Sequence, residues 1–279
     1  MPEGDAVWRT ARRLHQALAG RVLVSADLRW PSLATASLAG LTVTEVVPRG
    51  KHILLRLDNG WTLHSHLRMD GSWRVEPTRA GKVSARRTPG RTSQGPGFVR
   101  AVLVSREWTA VGVDLGMLDL VPTDREHTLV GQLGPDLLDP GFDAGRAVAN
   151  LAAAQGSIGA ALLDQTNLAG IGTIWASETL FAERIPPWTA TADLTADALA
   201  RIVERARRLL TASIQAPGRT SYVHGRSGRP CRRCGTTVRV APIGMATRER
   251  PMFYCPGCQG GLGPTDGGVP IAPLGSGPR

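Results

Sequence analysis

The sequence predicts an α+β protein of several domains: an amino-terminal β-sandwich led by a helix, a helical domain, and a carboxy-terminal zinc finger of β-ribbon type. Three observations predict this order. Short period-two runs fill residues 21–121, Ala and Leu recur at helical spacing from about Gly145 to Ala216, and all four cysteines stand in two late CxxC pairs.

Residues 3–19 read as the leading helix, because Val7, Ala11, Leu14 and Leu18 form one apolar stripe, Arg9, Arg12 and Arg13 lie mostly off it, and Gly20 supplies a stop. The runs Val22–Val24, Leu41–Val47, His52–Leu57, Trp61–His66, Ser72–Val75, Phe98–Val104 and Trp108–Val111 are broken by Gly, Pro or Asn-Gly, which argues for an antiparallel sandwich or barrel. Asp58-Asn59-Gly60 marks a hairpin. Pro77–Gly97 is rich in Arg, Gly, Ser and Pro and reads as a mobile surface loop; its arginines serve either a non-specific hold on a polyanion or simple solvation. The expected division is 1–125 for the sandwich, 126–144 for a linker, 145–219 for the helices, 220–259 for the zinc module and 260–279 for a disordered Gly/Pro tail.

Composition narrows the partner. A 42% hydrophobic content over 279 residues suffices for ordinary cores and excludes a disordered chain. The surplus of 33 Lys+Arg over 23 Asp+Glu, a net charge of +10, points to a polyanion, nucleic acid before all others. With no apolar run long enough to span a bilayer and no leader pattern, a membrane role is excluded and the cytoplasm is expected. Only two of the cations are lysines, Lys51 and Lys82, so each draws attention, with an ordinary surface charge as the favoured reading from the residues alone.

Cys231-x2-Cys234 and Cys255-x2-Cys258 are 20 residues apart, a spacing that lets two thiolate pairs converge on one tetrahedral zinc. Four thiolates close the coordination sphere, so this zinc, one per chain, is structural. Thr237–Val240 and Met252–Tyr254 suggest a two-stranded ribbon whose loop carries Arg248 and Arg250, suited to a DNA groove.

The start, Met1-Pro2-Glu3-Gly4, carries a chemical possibility. Methionine is removed before a small second residue, leaving the Pro2 amine. An α-amino group titrates near about 8 and a lysine near about 10.4, so about a tenth of the first and under about a thousandth of the second is neutral at pH 7. A secondary amine attacking a sugar C1′ forms an iminium with no N–H proton to lose, and Glu3 stands beside it as an acid–base partner.

These segments together resemble the formamidopyrimidine-DNA glycosylase and endonuclease VIII family over nearly the whole chain. The resemblance rests on MPEGD, Pro48-Arg49-Gly50-Lys51-His52, His64 to Gly71, Leu133-Gly134-Pro135-Asp136, Leu162-Leu163-Asp164-Gln165 with Ala169-Gly170-Ile171-Gly172, and Val223-His224-Gly225-Arg226 leading into the first cysteine pair. It implies a helix-two-turn-helix in the helical domain and damaged DNA as the partner of a monomer. The implied activity is glycosylase with abasic-site lyase, by β,δ-elimination through a Schiff base. On the same footing Pro2 is the nucleophile, Glu3 its acid–base partner and Lys51 a catalytic, phosphate-contacting lysine. His66, Gln165, Thr173 and Arg250 are DNA contacts. Met69 is a wedge for the gap left by an everted nucleotide, with a core position as the competing reading.

The chain departs from the family's pattern in three places. Thr173 stands where Asn is usual, Ala6 where Glu is common, and Asp114-Leu115-Gly116-Met117-Leu118 replaces the Asp-Pro-Arg-Arg-Phe segment of the purine-repair branch. The last departure, with MPEGD and Gln165, points to the endonuclease VIII branch of actinobacterial type and to oxidised pyrimidines. The first two keep open a family member that binds damaged DNA, or cleaves abasic sites, without excising bases. A zinc-ribbon regulator would leave Pro2 and Lys51 unexplained.

Overall fold

The computed structural model describes residues 2–78, 90–92, 95–216, 218 and 220–264, with backbone alone for 90–92 and 95–97. Met1, most of the expected 77–97 loop and residues 265–279 of the expected tail lie outside the described residues. The chain forms two compact units, Met1–Gln132 and Leu133–Arg279.

The first unit opens with helix α1 (Gly4–Leu18), whose expected stripe is its buried face: Val7, Ala11, Leu14 and Leu18 are at most 1% exposed. Strands β1 (Ser25–Leu28), β2 (Val43–Arg49), β3 (His52–Leu57), β4 (Trp61–His66) and β5 (Ser72–Pro77) follow. A short ribbon of β6 (Gly90–Thr92) and β7 (Gly95–Gly97) lies within the segment read as loop. Then come β8 (Val99–Val104), β9 (Trp108–Val113), β10 (Met117–Pro122) and the one-turn helix α2 (His127–Val130). Two four-stranded antiparallel sheets result, in the orders β1-β8-β9-β5 and β10-β4-β3-β2. Leu23, Val43, Ile53, Leu55, Leu63, Ala101, Leu103, Ala110 and Leu118 fill one core with the α1 stripe. A buried Leu contributes roughly 1.5–3 kcal/mol.

Two strand expectations are corrected. Val22–Val24 makes an isolated bridge to Thr42 with Val22 and Val24 exposed, and the strand begins at Ser25, where pairing with β8 starts. β10 was not foreseen; its inward Leu118 is enclosed by α1 and both sheets, while Met117 and Asp119 take the outer face.

The second unit contains α3 (Ala144–Ala153), α4 (Ile158–Leu163), α5 (Thr173–Glu183), α6 (Ala196–Gln215) and a ribbon of β11 (Arg239–Ile243) and β12 (Arg250–Tyr254). Asp143 caps α3 by accepting from the Arg146 amide at 2.8 Å, and Thr195 caps α6. The helices pack through Leu151, Ile158, Leu162, Leu180, Ile202 and Leu210, and Ile243 and Met252 of the ribbon join the same core. Val223, Val238, Val240 and Phe253 gather with Cys231, Cys255 and Phe181 of α5 in a smaller cluster of their own. Among the described residues, no helix is long and apolar enough to cross a membrane.

Candidate active site and nucleic-acid interface

In the first unit, Pro2 is half-buried and Glu3 holds the N-cap position of α1, with its carbonyl accepting from the Val7 amide at 3.0 Å. The Glu3 side chain is 1% exposed. A helix start favours negative charge, so a carboxylate here meets the positive end of the helix dipole. Asp5 in the first turn is also buried and pairs with Arg9 at 3.2 Å. The amino terminus is thus held on a packed element and leads directly into a buried carboxylate.

Lys51 lies in the two-residue turn between β2 and β3, where Arg49 pairs with His52 and Gly50 takes φ +58, a conformation glycine adopts without strain. His52 and His66 are register partners on β3 and β4, so both rings project from one face of the sheet. Their centroids are 4.8 Å apart, edge to face, and the His52 and His64 rings stack at 5.0 Å. His64 is fully buried; its Nε2 lies 2.8 Å from His52 Nδ1 and its Nδ1 lies 2.9 Å from Asp119 Oδ2. Burial, with the charges of His66, His64, Lys51 and Arg68, lowers His52 to about 3. Burial, Arg68, His64 and Lys51 lower His66 to about 4. Both rings are neutral at pH 7. His66 Nδ1 accepts from the Arg68 amide at 2.9 Å, which leaves the ring proton on Nε2 as a donor. Beyond it, Arg68 has φ +54 and Met69 is 57% exposed, so a core position for Met69 is set aside.

In the second unit, α4 and α5 flank an irregular segment over 164–172. Gly134 crosses it so closely that a Cβ would meet Thr166 O at 2.5 Å and the Asn167 carbonyl at 2.6 Å, which accounts for glycine in the Leu133–Asp136 motif. The Gln165 amide, expected to face DNA, is turned inward: its Nε2 donates to Leu163 O (3.1 Å) and Ile171 O (2.9 Å), and its Oε1 accepts from the Gly170 amide (3.1 Å). It braces the two turns. Thr173 is the first residue of α5 and is 7% exposed, the most enclosed of the expected DNA contacts.

The four cysteine sulfurs lie within 4.8 Å of one another. Cys231–Cys258 is 4.0 Å and Cys234–Cys255 is 3.5 Å, bracketing the edge of about 3.8 Å that zinc–sulfur bonds of about 2.3 Å give a tetrahedron. The Arg233 amide donates to Cys231 Sγ at 3.4 Å. Hydrogen bonds from Thr236 lower Cys234 to about 6, whereas burial pushes Cys255 and Cys258 up, so closing the set as thiolates calls for a cation. The approach to this cluster is anchored by Glu178 of α5, a buried carboxylate that accepts from the Tyr222, Val223 and His224 amides, each at 2.9 Å. Buried Gln259 ties the other end, accepting from the Cys255 amide and donating to Ile185 O.

Arg250 is exposed and opens β12 rather than lying in the loop. With Met245 and Arg248 it forms one wall of a groove of about 540 Å³, and Asp164, Gln165 and Asn167 line the other.

Two family models match the chain: the formamidopyrimidine-DNA glycosylase N-terminal domain over residues 1–105 and the formamidopyrimidine-DNA glycosylase H2TH domain over 133–224. The chain belongs to the formamidopyrimidine-DNA glycosylase family. Within it, the chain is 49% identical to a probable endonuclease 8 of Streptomyces coelicolor, over 96% of this chain and 97% of that one. It is 38% identical to a DNA-(apurinic or apyrimidinic site) lyase of Mycolicibacterium smegmatis, over 93% and 99%. The fold matches Lactococcus lactis formamidopyrimidine-DNA glycosylase bound to abasic-site DNA, with a TM-score of 0.75 at 24% identity over 92% of this chain and 99% of that one.

His52 and His64 stand inside the sequence motifs without a role there, and Asp119 and Glu178 stand outside them. A signal existed for the first two. Three of the six histidines fall at 52, 64 and 66, and the 64/66 spacing places two on one strand face. Nothing local marks Asp119 or Glu178, whose partners lie 55 and 44–46 residues away.

Proposed function

We propose that this chain is a base-excision DNA glycosylase with abasic-site lyase activity, directed at oxidised bases, pyrimidines foremost, and at abasic sites. The observation that carries the reading is that the family's N-terminal domain matches from residue 1, so Pro2 and Glu3, mounted on α1, fall within that domain. After loss of Met1, the Pro2 nitrogen attacks C1′ of the damaged nucleotide. The base departs with the bonding pair, and the sugar ring opens as the iminium forms. The iminium has no N–H to lose, so it withdraws electrons while a C2′ proton is removed and the 3′-phosphate leaves; the 5′-phosphate follows in the δ-step. Water then releases the sugar fragment. Glu3 moves protons at the opening sugar, and Lys51 and the Nε2–H of His66 hold phosphate beside it. Met69 wedges into the emptied stack.

Arg250 and the groove wall at 164–167 grip the backbone. Gln165 contributes by holding the two-turn segment in shape, and Thr173 by opening α5. Cys231, Cys234, Cys255 and Cys258 hold one zinc, which crosslinks the finger and leaves no position for a reactive water. A monomer in the cytoplasm satisfies these requirements.

Borohydride trapping on a duplex with one abasic site tests the reading: wild type gives a covalent band and Pro2→Gly weakens or removes it. Failure of wild type to trap, with intact mass confirming loss of Met1, sinks the Schiff-base claim. A second reading, lyase without base excision, is favoured by Ala6, Thr173 and the name of the Mycolicibacterium relative. Trapping on abasic DNA but not on thymine-glycol DNA would select it.

A further inference from the structure

The outer face of the β10-β4-β3-β2 sheet carries a hydrogen-bonded chain with no part in the mechanism above: Asp119 to His64 at 2.9 Å and His64 to His52 at 2.8 Å. A carboxylate accepts but does not donate, so with neutral rings the proton order is settled. His64 donates through Nδ1 to Asp119, and its Nε2 accepts from His52 Nδ1–H. His52 is left with a bare Nε2. The chain runs from a half-buried ring beside Lys51, through a fully buried one, to a carboxylate whose side chain is 38% exposed.

Around His52 stand Lys51 in the adjoining turn, Arg49 as its register partner on β2, Arg68 after β4, and the His64 and His66 rings. Asp119 on β10 is bonded into the cluster through His64, and Arg56, farther along the same face, is engaged by Glu45 and Glu126. Burial first, and after it the neighbouring rings and the charges of Lys51 and Arg68, keep His52 and His66 neutral. An anion placed against the cations removes that repulsion, and an opposite charge about 4–6 Å away favours a protonated ring by roughly one to three powers of ten.

We propose that the Asp119–His64–His52 chain is a proton store for the Lys51 corner, filled when a DNA phosphate docks there. Solvent supplies one proton to His52 Nε2. The Nδ1 proton of His52 passes to His64 Nε2, and the resulting His64 imidazolium rests against the Asp119 carboxylate. One proton is gained and nothing is oxidised or reduced. His52, His64 and Asp119 are thus positioning residues that set the charge of the corner. The inference rests on the reading of Lys51 and His66 as phosphate contacts.

The test is titration calorimetry of the full chain with duplex DNA carrying tetrahydrofuran, an abasic analogue that forms no Schiff base, in buffers of differing ionisation enthalpy. At about pH 5, between the free ring's value and the value raised by the phosphate, wild type is expected to take up close to one proton per duplex bound, with affinity falling by up to about tenfold per pH unit between about pH 4 and about pH 6 and levelling off above that. Asp119→Asn keeps an oxygen acceptor for His64 but loses the charge, so it is expected to bind with at least a halved uptake and a flattened pH slope. His52→Gln, at a half-buried ring, is expected to do the same. Imidazole nitrogen NMR shifts are expected to report His64 turning to imidazolium on binding. Wild-type binding without uptake, or unchanged uptake in both variants, overturns the store. Absence of binding to the analogue at every pH would instead overturn the phosphate reading, and the store with it.

Discussion

The cysteine cluster and the histidine corner are both sets of polar side chains brought together inside folded units, yet they are assembled by opposite means. The finger uses two pairs whose members are three positions apart, so each tight turn delivers two ligands and a single antiparallel ribbon joins the pairs. The corner draws His52, His64 and Asp119 from three strands, and it exists only if two strand registers are both correct. A one-residue slip in either pairing would send those rings to the opposite face. The finger needs a cation to complete it; the corner completes itself with protons.

Metal removal should separate the two regions most strongly. Zinc sites in small modules are worth about 10–16 kcal/mol, and Ile243 and Met252 of the ribbon are packed among the helices. Chelation is therefore expected to release one zinc per chain, lower the thermal midpoint of the Leu133–Gly263 region and expose α5 amides to hydrogen exchange. Amides of β3, β4 and β10 should stay protected. Equal loss of protection in both units would refute separate cores.

Leu14→Ala acts on the other side of the comparison. Leu14 is 1% exposed between α1 and the sheets, and a cavity there is expected to cost about 2–5 kcal/mol in denaturant unfolding of the first unit. Zinc content should be unaffected.

Acid sharpens the contrast by a smaller amount. His52 and His66 are lowered from 6.5 to about 3 and about 4, so the folded state binds their protons less readily than the unfolded chain. The stability they contribute is fully present above pH 6.5 and declines as pH falls toward those folded values. The slope is roughly 1 kcal/mol per ring per pH unit. Urea unfolding followed by sheet circular dichroism from pH 7 to pH 5 should show it, and His52→Gln should reduce it.

Arg250→Ala is expected to have the least effect on stability, because its side chain is exposed. DNA affinity should fall several-fold on any sequence and the salt slope should drop by about 1. Unchanged affinity would remove the finger from the interface.

Much was legible beforehand because neighbouring residues carry it. The α1 stripe is a 3.6-residue rhythm and needs no partner to be read; the boundaries of β3 and β4 follow from short, largely apolar runs bounded by Gly50 and Asp58-Asn59-Gly60. The cysteine spacing specifies a tetrahedron by itself. Val22–Val24 misled because alternation describes a half-buried chain whether or not a strand pairs along it, and only Val22 finds a bridge.

Residue order alone therefore decided the leading helix, most of the strands, the cysteine cluster and the family, since these depend on spacing along the chain. The tertiary structure decided that the Gln165 amide turns inward, that Met69 stands exposed, that Ile243 and Met252 tie the ribbon into the helical core, and that Asp119 meets His64. Each of these joins positions far apart in sequence, and the physical selector is register and packing: a side chain's partner is whatever the opposing strand or helix presents at that height, which no local pattern contains.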